Sequence, residues 1–398
     1  MLECFSQAAQ RQWAPLYLEG LILPGERKSM TLIAQRVAPQ DRQQIHHFIS
    51  DSPWDTTPLE AELVKKANLL VGGRSSTLAA QDVSLVKKGE HSVGVARQYC
   101  GALGKTANCQ SLVSLSLARG EVPVPIALRL YLPAAWVSDP ARRTECGVPE
   151  DVAYRPKWQI ALDEIDRVLA QGALFGLVQA DAGYGMAAAF RRGLSGRELP
   201  YTAGVLKTQK VFSLAVAPAP GGRKYPQWSE ASVAADKLIA SLGEGAWRKL
   251  SWRKGTKGAL EAEFIGVRVR AADGEQDGND QRAPGEAVWL VAERRAGGEI
   301  KYYFSTLPEW AALLELARSV KGRWVCEQPH QQLKEELGLD HYEGRGWLGL
   351  HHHCLLTLIA FCFLQHLRLD GKKKVALERA AALAQPARSA PGADRVAA

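Results

Sequence analysis

Three short runs rich in Val, Leu and Ile, at Leu78 to Val86, Cys109 to Leu117 and Val122 to Leu132, follow one another with only glycine-bearing turns between them. Their length and composition predict three consecutive β-strands. The period then changes. Pro156 to Leu169 reads as a helix, Leu174 to Val178 as an apolar run ending at Asp181, Ala187 to Leu194 as a helix and Tyr201 to Val205 as a short strand. The order βββαβαβ leaves few ways to bury the apolar faces. It predicts an α/β chain of mixed α+β type, built on a mixed sheet flanked by helices.

The segments around this unit read differently. Residues 1 to about 70 carry apolar positions at helical spacing (Leu18, Leu21 and Ile22; Ile33 and Val37; Ile45, Phe48 and Ile49), punctuated by Pro24, Pro39 and Pro53. Residues 206 to 305 are rich in proline and glycine at 217–223 and 272–285, and alternate at Phe264 to Val269 and Val288 to Ala292, which predicts a β-rich insertion. Helical periodicity returns from Glu309 to Leu337 and from Trp347 to Leu369. The expected parts are a helical domain at 1–72, a core at 73–205 and 306–372 interrupted by the insertion at 206–305, and a disordered tail at 373–398.

Bulk properties narrow the function classes. No run of about 18 apolar residues is present, and the start lacks the basic-then-apolar order of a signal peptide, so a cytoplasmic protein without a membrane partner is expected. Seven scattered cysteines without a CxxC pair fit reduced thiols better than disulfides or zinc. The net charge of +8 favours a polyanionic partner.

Arg323, Glu327 and Lys334 are spaced by four and seven, which on a continuous helix puts them within about 40° of one another. One acid between two bases suits holding a metal ion while gripping phosphates. Asp82 interrupts the first apolar strand, where an acid is costly unless paired or metal-bound. Asp181 ends an apolar strand and precedes Ala182-Gly183-Tyr184-Gly185, at the strand end where ligand sites of open α/β sheets collect. Taken singly, these acids also read as an edge-strand carboxylate, a turn residue and a solvated helix residue. As a set, Asp82, Asp181 and Glu327 are hard oxygen ligands suited to Mg²⁺ or Mn²⁺ and to phosphodiester chemistry.

Other features compete for attention. Gly101 to Thr106 imitates a phosphate loop, but Tyr99 stands where the first glycine belongs. Consecutive histidines His351 to His353 point about 100° apart on a helix and cannot converge on one ion, so they are expected to be structural or DNA-facing. Lys87 and Lys88, Arg97, and Arg248, Arg253, Lys254 and Lys257 are candidate phosphate contacts, or simply solvated faces. Trp247, Trp252 and Trp289 read as core first and as base-stacking platforms second.

With these residues in view the chain resembles the DDE insertion-sequence transposases with an RNase H-like catalytic domain, a β-strand insertion and an R-x3-E-x6-K helix. The resemblance runs from about residue 17 to residue 369 and rests on Leu23 to Ser29, Lys87-Lys88-Gly89 with His91 to Val95, Arg129 to Pro133, Ala180 to Gly185 and Gln331 to Asp340. It implies Asp82, Asp181 and Glu327 as catalytic and metal-binding residues for Mg²⁺, with Mn²⁺ as a substitute. Arg323 and Lys334 would hold DNA phosphates, and the N-terminal helices would bind DNA. It also implies cut-and-paste transposition in the bacterial nucleoid, on double-stranded terminal repeats and target DNA, by a homodimer or larger synaptic assembly. The alternatives are a decayed DNA-binding descendant and a related structure-specific nuclease. Similar proteins usually carry Asp-Asp-Thr where this chain has Gln81-Asp82-Val83. Pro329 costs about 3 kcal/mol or more inside a helix. It predicts either a kinked helix or one restarting near Gln328, with Glu327 left at the helix end.

Overall fold

Four helices lead into the sheet: α1 (Ala8–Ile22), α2 (Met30–Val37), α3 (Arg42–Ser50) and α4 (Thr57–Val71). The structure, a computed structural model, describes residues 1–219, 228–255, 258–276 and 282–384. Lys257, and the expected tail from 385 onward, lie outside the described residues, as do parts of the two proline- and glycine-rich stretches. In α4, Pro58 occupies the first turn, where a missing amide is harmless, and Leu59, Leu63 and Ala67 recur every fourth residue on the buried face.

The sheet follows as β1 (Thr77–Val86), β2 (Ala96–Cys100), β3 (Lys105–Arg119) and β4 (Val122–Tyr131). Short helices α5 (Ala134–Val137) and α6 (Pro140–Glu145) lead to α7 (Lys157–Ala170), β5 (Leu177–Ala180), α8 (Ala182–Gly185), α9 (Ala188–Ser195) and β6 (Tyr201–Val205). β1 runs antiparallel to β3 and parallel to β5, β5 runs parallel to β6, and β4 pairs antiparallel with β3. The mixed sheet flanked by helices is therefore present, with β1 at its centre. β1 is buried along its interior except at Asp82. Hydrophobic burial fixes the register of such a strand, because a slip of one residue would move every side chain to the other face.

The insertion does not stand apart from this sheet. Its elements are β7 (Lys210–Phe212), β8 (Val233–Ala234), α10 (Ala235–Ser241), β9 (Arg248–Gly255), β10 (Gly258–Gln276), β11 (Arg282–Arg294) and β12 (Ile300–Ser305). β12 pairs antiparallel with β6, and β11 and β10 follow outward, so core and insertion form one 12-stranded sheet. Buried Arg191 of α9 adds a tie, donating to Asp273 of β10 at 2.6 and 3.1 Å.

The C-terminal part comprises α11 (Leu313–Gly322), a 3₁₀ turn (Arg323–Cys326), α12 (Glu327–Glu335) and α13 (Trp347–Ala384). Two expectations are corrected here. The single helix anticipated from Glu309 to Leu337 is broken into three pieces, and α13 continues to Ala384, past residue 373 where a disordered tail was expected. Against the reading of no long apolar stretch, Trp347–Gly371 has the length and composition of a membrane span. Within that helix, 72% of the most apolar window is buried inside the protein. α1, α3, α4 and β4 cover it, and Tyr17, Phe48, Leu63, Leu130 and Leu350 belong to one continuous core.

Charge also sits inside that core. Arg129 of β4 donates to Glu60 of α4 at 2.7 Å and to Glu164 of α7 at 2.7 Å, while Arg167 of α7 donates to Glu164 at 2.9 Å. Burial alone would raise the Glu164 pKa. The Arg129 and Arg167 charges outweigh it and hold the carboxyl below its ordinary value. A depressed folded pKa stabilises above the unfolded value near 4.3 and is lost as pH falls through the folded one. Arg129→Met keeps most of the side-chain volume but leaves two buried carboxylates to share Arg167 alone. Urea denaturation should show a loss of about 3–5 kcal/mol, and a change below 1 kcal/mol would mean that the cluster does not clamp the three elements.

Candidate active site

Asp82 and Asp181 lie on neighbouring parallel strands. Ala80 is paired with Ala180, the last pair between the two strands, so Asp82 within β1 and Asp181 just past the end of β5 both lie beyond that register. Asp181 caps α8, accepting from the Gly183 amide at 2.8 Å. The turn is pressed onto β6, where a Cβ on Gly185 would drive into the Gly204 carbonyl oxygen, which is why glycine is required there. Burial pushes the Asp181 carboxyl above its ordinary pKa, Arg323 pulls it down, and the Asp82 charge pushes it up again. Asp82 is bound on both oxygens, by Lys157 Nζ at 2.5 Å and by the Tyr184 hydroxyl at 2.6 Å.

Glu327 is placed differently. Glu327, Gln328 and Pro329 form the first turn of α12, so Pro329 stands where the backbone amide has no intrahelical partner to lose. The preceding residues tighten into a 3₁₀ turn, and the single-helix stripe of Arg323, Glu327 and Lys334 is therefore not continuous. Arg323 still reaches Glu327, donating at 2.8 Å in an ion pair whose side chains are 29% and 54% exposed. No hydrogen bond or ion pair joins Glu327 to either aspartate, and among the described residues no three His, Cys, Asp or Glu side chains are grouped to hold a metal. The structure thus brings two of the three acids together and leaves the third on Arg323.

Beneath this segment lies a polar network that sequence reasoning missed. With its amide oriented to suit its neighbours, Gln81 accepts from Arg323 Nη1 at 2.9 Å and donates to the Cys326 carbonyl at 3.2 Å and to His330 Nδ1 at 3.3 Å. His330 Nε2 meets Ser114 Oγ at 2.9 Å. Burial, then the Lys334 and Arg323 charges, push the His330 pKa down to about 3, so it is a neutral ring donating from Nε2 and accepting at Nδ1. Strand alternation turns Gln81 and Asp82 to opposite faces of β1. Gln81 holds the Arg323 segment while Asp82 faces α7 and α8, which gives the departure from Asp-Asp-Thr a structural role.

A basic groove runs past Glu327 between the insertion and α11. Arg253, Arg295, Lys301, Arg318, Lys321 and Arg323 line it, with Trp252, Tyr303 and Trp324. Trp324 is 48% exposed with the Arg253 guanidinium 4.7 Å over its ring. Only its position next to Arg323 signals it in the sequence. Trp252 packs edge-on against Phe264, and Trp289 donates to the Pro308 carbonyl at 3.0 Å. Trp247 carries Arg294 over its ring. These three are packing residues first.

The remaining basic candidates divide. Lys87 donates to the Tyr342 carbonyl at 2.7 Å, and burial lowers its pKa, so this lysine braces the fold and is not free for phosphate. Lys88 is exposed. Lys334 is half-buried with its pKa lowered, by burial first. Gly101 to Gly104 form the β2–β3 turn, away from any helix start. His352 and His353 are fully buried: the neutral His352 ring donates to the Ile49 carbonyl at 2.9 Å, with its other nitrogen 3.3 Å from the Trp54 carbonyl, and His353 donates to that of Gly338.

Strand order β4-β3-β1-β5-β6, with one acid within β1 and one just past the end of its parallel neighbour β5, is the arrangement of the RNase H-like class. Residues 1–259 match the profile of the DDE superfamily endonucleases, and the chain belongs to that family. A probable transposase for insertion sequence element IS701 of Microchaete diplosiphon is 31% identical over 166 residues. The match spans 42% of this chain and 41% of that relative. Among solved structures, the piggyBac transposase synaptic complex with hairpin DNA superposes over 93% of this chain and 68% of its own, with a TM-score of 0.47 and 9% identity.

Proposed function

We propose that this protein is the transposase of a bacterial DNA insertion sequence, cutting the ends of its element and joining them to a target. The observation that carries this reading is the pair of aspartates just beyond the paired register of two adjacent parallel strands, beside a basic groove, in a chain of DDE endonuclease descent. The donor set suits Mg²⁺ or Mn²⁺. Two hard carboxylates stand close enough for the Asp82 charge to raise the Asp181 pKa, and a divalent cation would relieve that repulsion.

Asp82, Asp181 and Glu327 would hold the cation, which when bound supplies Lewis-acid activation of the attacking hydroxyl and stabilises charge on the leaving oxygen. Glu327 becomes available through Arg323. An ion pair at the surface such as theirs is worth about 0–1 kcal/mol, so a DNA phosphate that also replaces the Gln81 oxygen as acceptor would draw Arg323 away and free the carboxylate. Gln81 and His330 hold the segment while this exchange occurs. The groove lysines and arginines supply phosphate contacts whose affinity falls steeply with salt. Synapsis of two element ends by a homodimer or larger assembly follows from the same reading.

The test uses purified protein, its own element ends and Mg²⁺ or Mn²⁺ at low salt. Metal-dependent nicking and end joining are expected. Salt-sensitive binding of the ends without nicking under any metal would leave a non-catalytic DNA-binding descendant. Cleavage of branched DNA without preference for the ends would indicate a structure-specific nuclease.

A further inference from the structure

The turn carrying Asp181 also carries Tyr184, and this tyrosine spans back to the other acid. Its ring is 2% exposed and packs on Phe190 with centroids 5.6 Å apart, while Gly185 beside it is wedged against β6. The hydroxyl donates to Asp82 Oδ1 at 2.6 Å. Asp82 itself is the exposed position of a buried strand, with no backbone donor among its contacts to fix its rotamer. We propose that Tyr184 is a positioning residue: a rigid strut from the Asp181 turn that sets the Asp82 carboxylate opposite Asp181 and leaves Oδ2 as the oxygen that trades Lys157 for a metal ion.

Several observations agree. Among the described residues the phenol has no competing acceptor, and facing an acceptor-only carboxylate oxygen at 2.6 Å it is the donor. Lys157 makes the other contact from the first residue of α7, with its side chain 26% exposed, and can leave toward solvent in a way that the enclosed tyrosine cannot. Partners that orient a ligating carboxylate typically change metal affinity by about 10- to 100-fold when removed. One hydroxyl therefore couples the geometry of two acids, Asp82 and Asp181, that lie far apart in the chain.

The inference rests on Asp82 and Asp181 being metal ligands, so its test separates the two claims. Mn²⁺ binding to the DNA-free protein is measured by electron paramagnetic resonance for the unmodified chain, Asp181→Asn, Tyr184→Phe and Phe190→Leu, together with the thermal midpoint in EDTA. Tyr184→Phe should weaken Mn²⁺ binding about tenfold or more. Phe190→Leu should lower the midpoint through lost packing yet keep Mn²⁺ affinity within about twofold. Should Tyr184→Phe bind as the unmodified chain does while Asp181→Asn does not, the strut is overturned and the metal site stands. Equal losses in Tyr184→Phe and Phe190→Leu would reduce the tyrosine to packing and also overturn it. If Mn²⁺ binding is absent, or is the same in Asp181→Asn, both claims fall.

Discussion

Asp181→Asn should abolish metal-dependent nicking of element ends, by about three orders of magnitude or more, while the protein becomes no less stable. Three orders correspond to about 4 kcal/mol of transition-state stabilisation, a reasonable share for a metal ligand. Asparagine keeps the oxygen that accepts from the Gly183 amide, so the α8 turn survives. What it removes is a charge in an unfavourable place. Burial is the main reason why the Asp181 carboxyl is raised, and the Asp82 charge adds to it. A raised carboxyl pKa means that the ionised form strains the fold at neutral pH, and the neutral amide relieves this. Gel assays of nicking beside thermal denaturation decide the matter. A variant that is dead and clearly less stable would show Asp181 to be structural, and a variant that still nicks would exclude it from the site.

Acidification should unfold the protein well before its carboxylates titrate. His330, His352 and His353 are all less than a tenth exposed, and burial pushes their pKa values down to about 3, 4 and 4. The unfolded chain takes up protons near pH 6.5 and the folded one does not. For a lowered folded pKa the stability is present above the unfolded value and is lost as pH falls toward the folded one. The window is therefore about 6.5 down to about 4. Three histidines at about 1.4 kcal/mol per unit set a slope of roughly 4 kcal/mol per pH unit once the unfolded state is protonated. The contribution of the paired Glu164 carboxylate is fully present above about pH 4.3 and is lost only below it, so the two effects separate along the titration. Urea midpoints between pH 7.5 and 5 provide the measurement, with His352→Gln expected to remove about a third of the slope. A flat profile over that range would contradict the burial of these rings.

His352 also shows why the consecutive histidines could not be assigned from sequence beyond excluding a shared metal. Helical spacing shows that adjacent rings diverge, but not what each meets. His352 stacks on Trp54 at 3.6 Å and His353 on Tyr342 at 5.1 Å, both brought in by folding. The same limit applied to Lys87. Its exposure in a basic run was a fair expectation, and only the approach of the Tyr342 carbonyl turned it into a brace.

The break at Pro329 was legible in part. Proline's lost donor and steric clash made a continuous helix costly, and a restart at the acid was one of the two ways out. Which of them occurs depends on Gln81 and His330, whose hydrogen bonds pull the 3₁₀ turn onto β1. Tyr184 and Lys157 were invisible for another reason: their partner Asp82 lies about a hundred and about seventy-five positions away in the chain.

The sequence by itself determined the order of elements, because apolar periodicity and turn residues are local properties of the chain. It also determined which acids and bases could do this chemistry, because residue type sets charge and ligand hardness. Tertiary structure alone decided which of those acids meet. Asp82 and Asp181 converge because β1 and β5 pair in parallel register, whereas Glu327 remains with Arg323, since a neighbouring opposite charge four residues away outcompetes two like charges across the site.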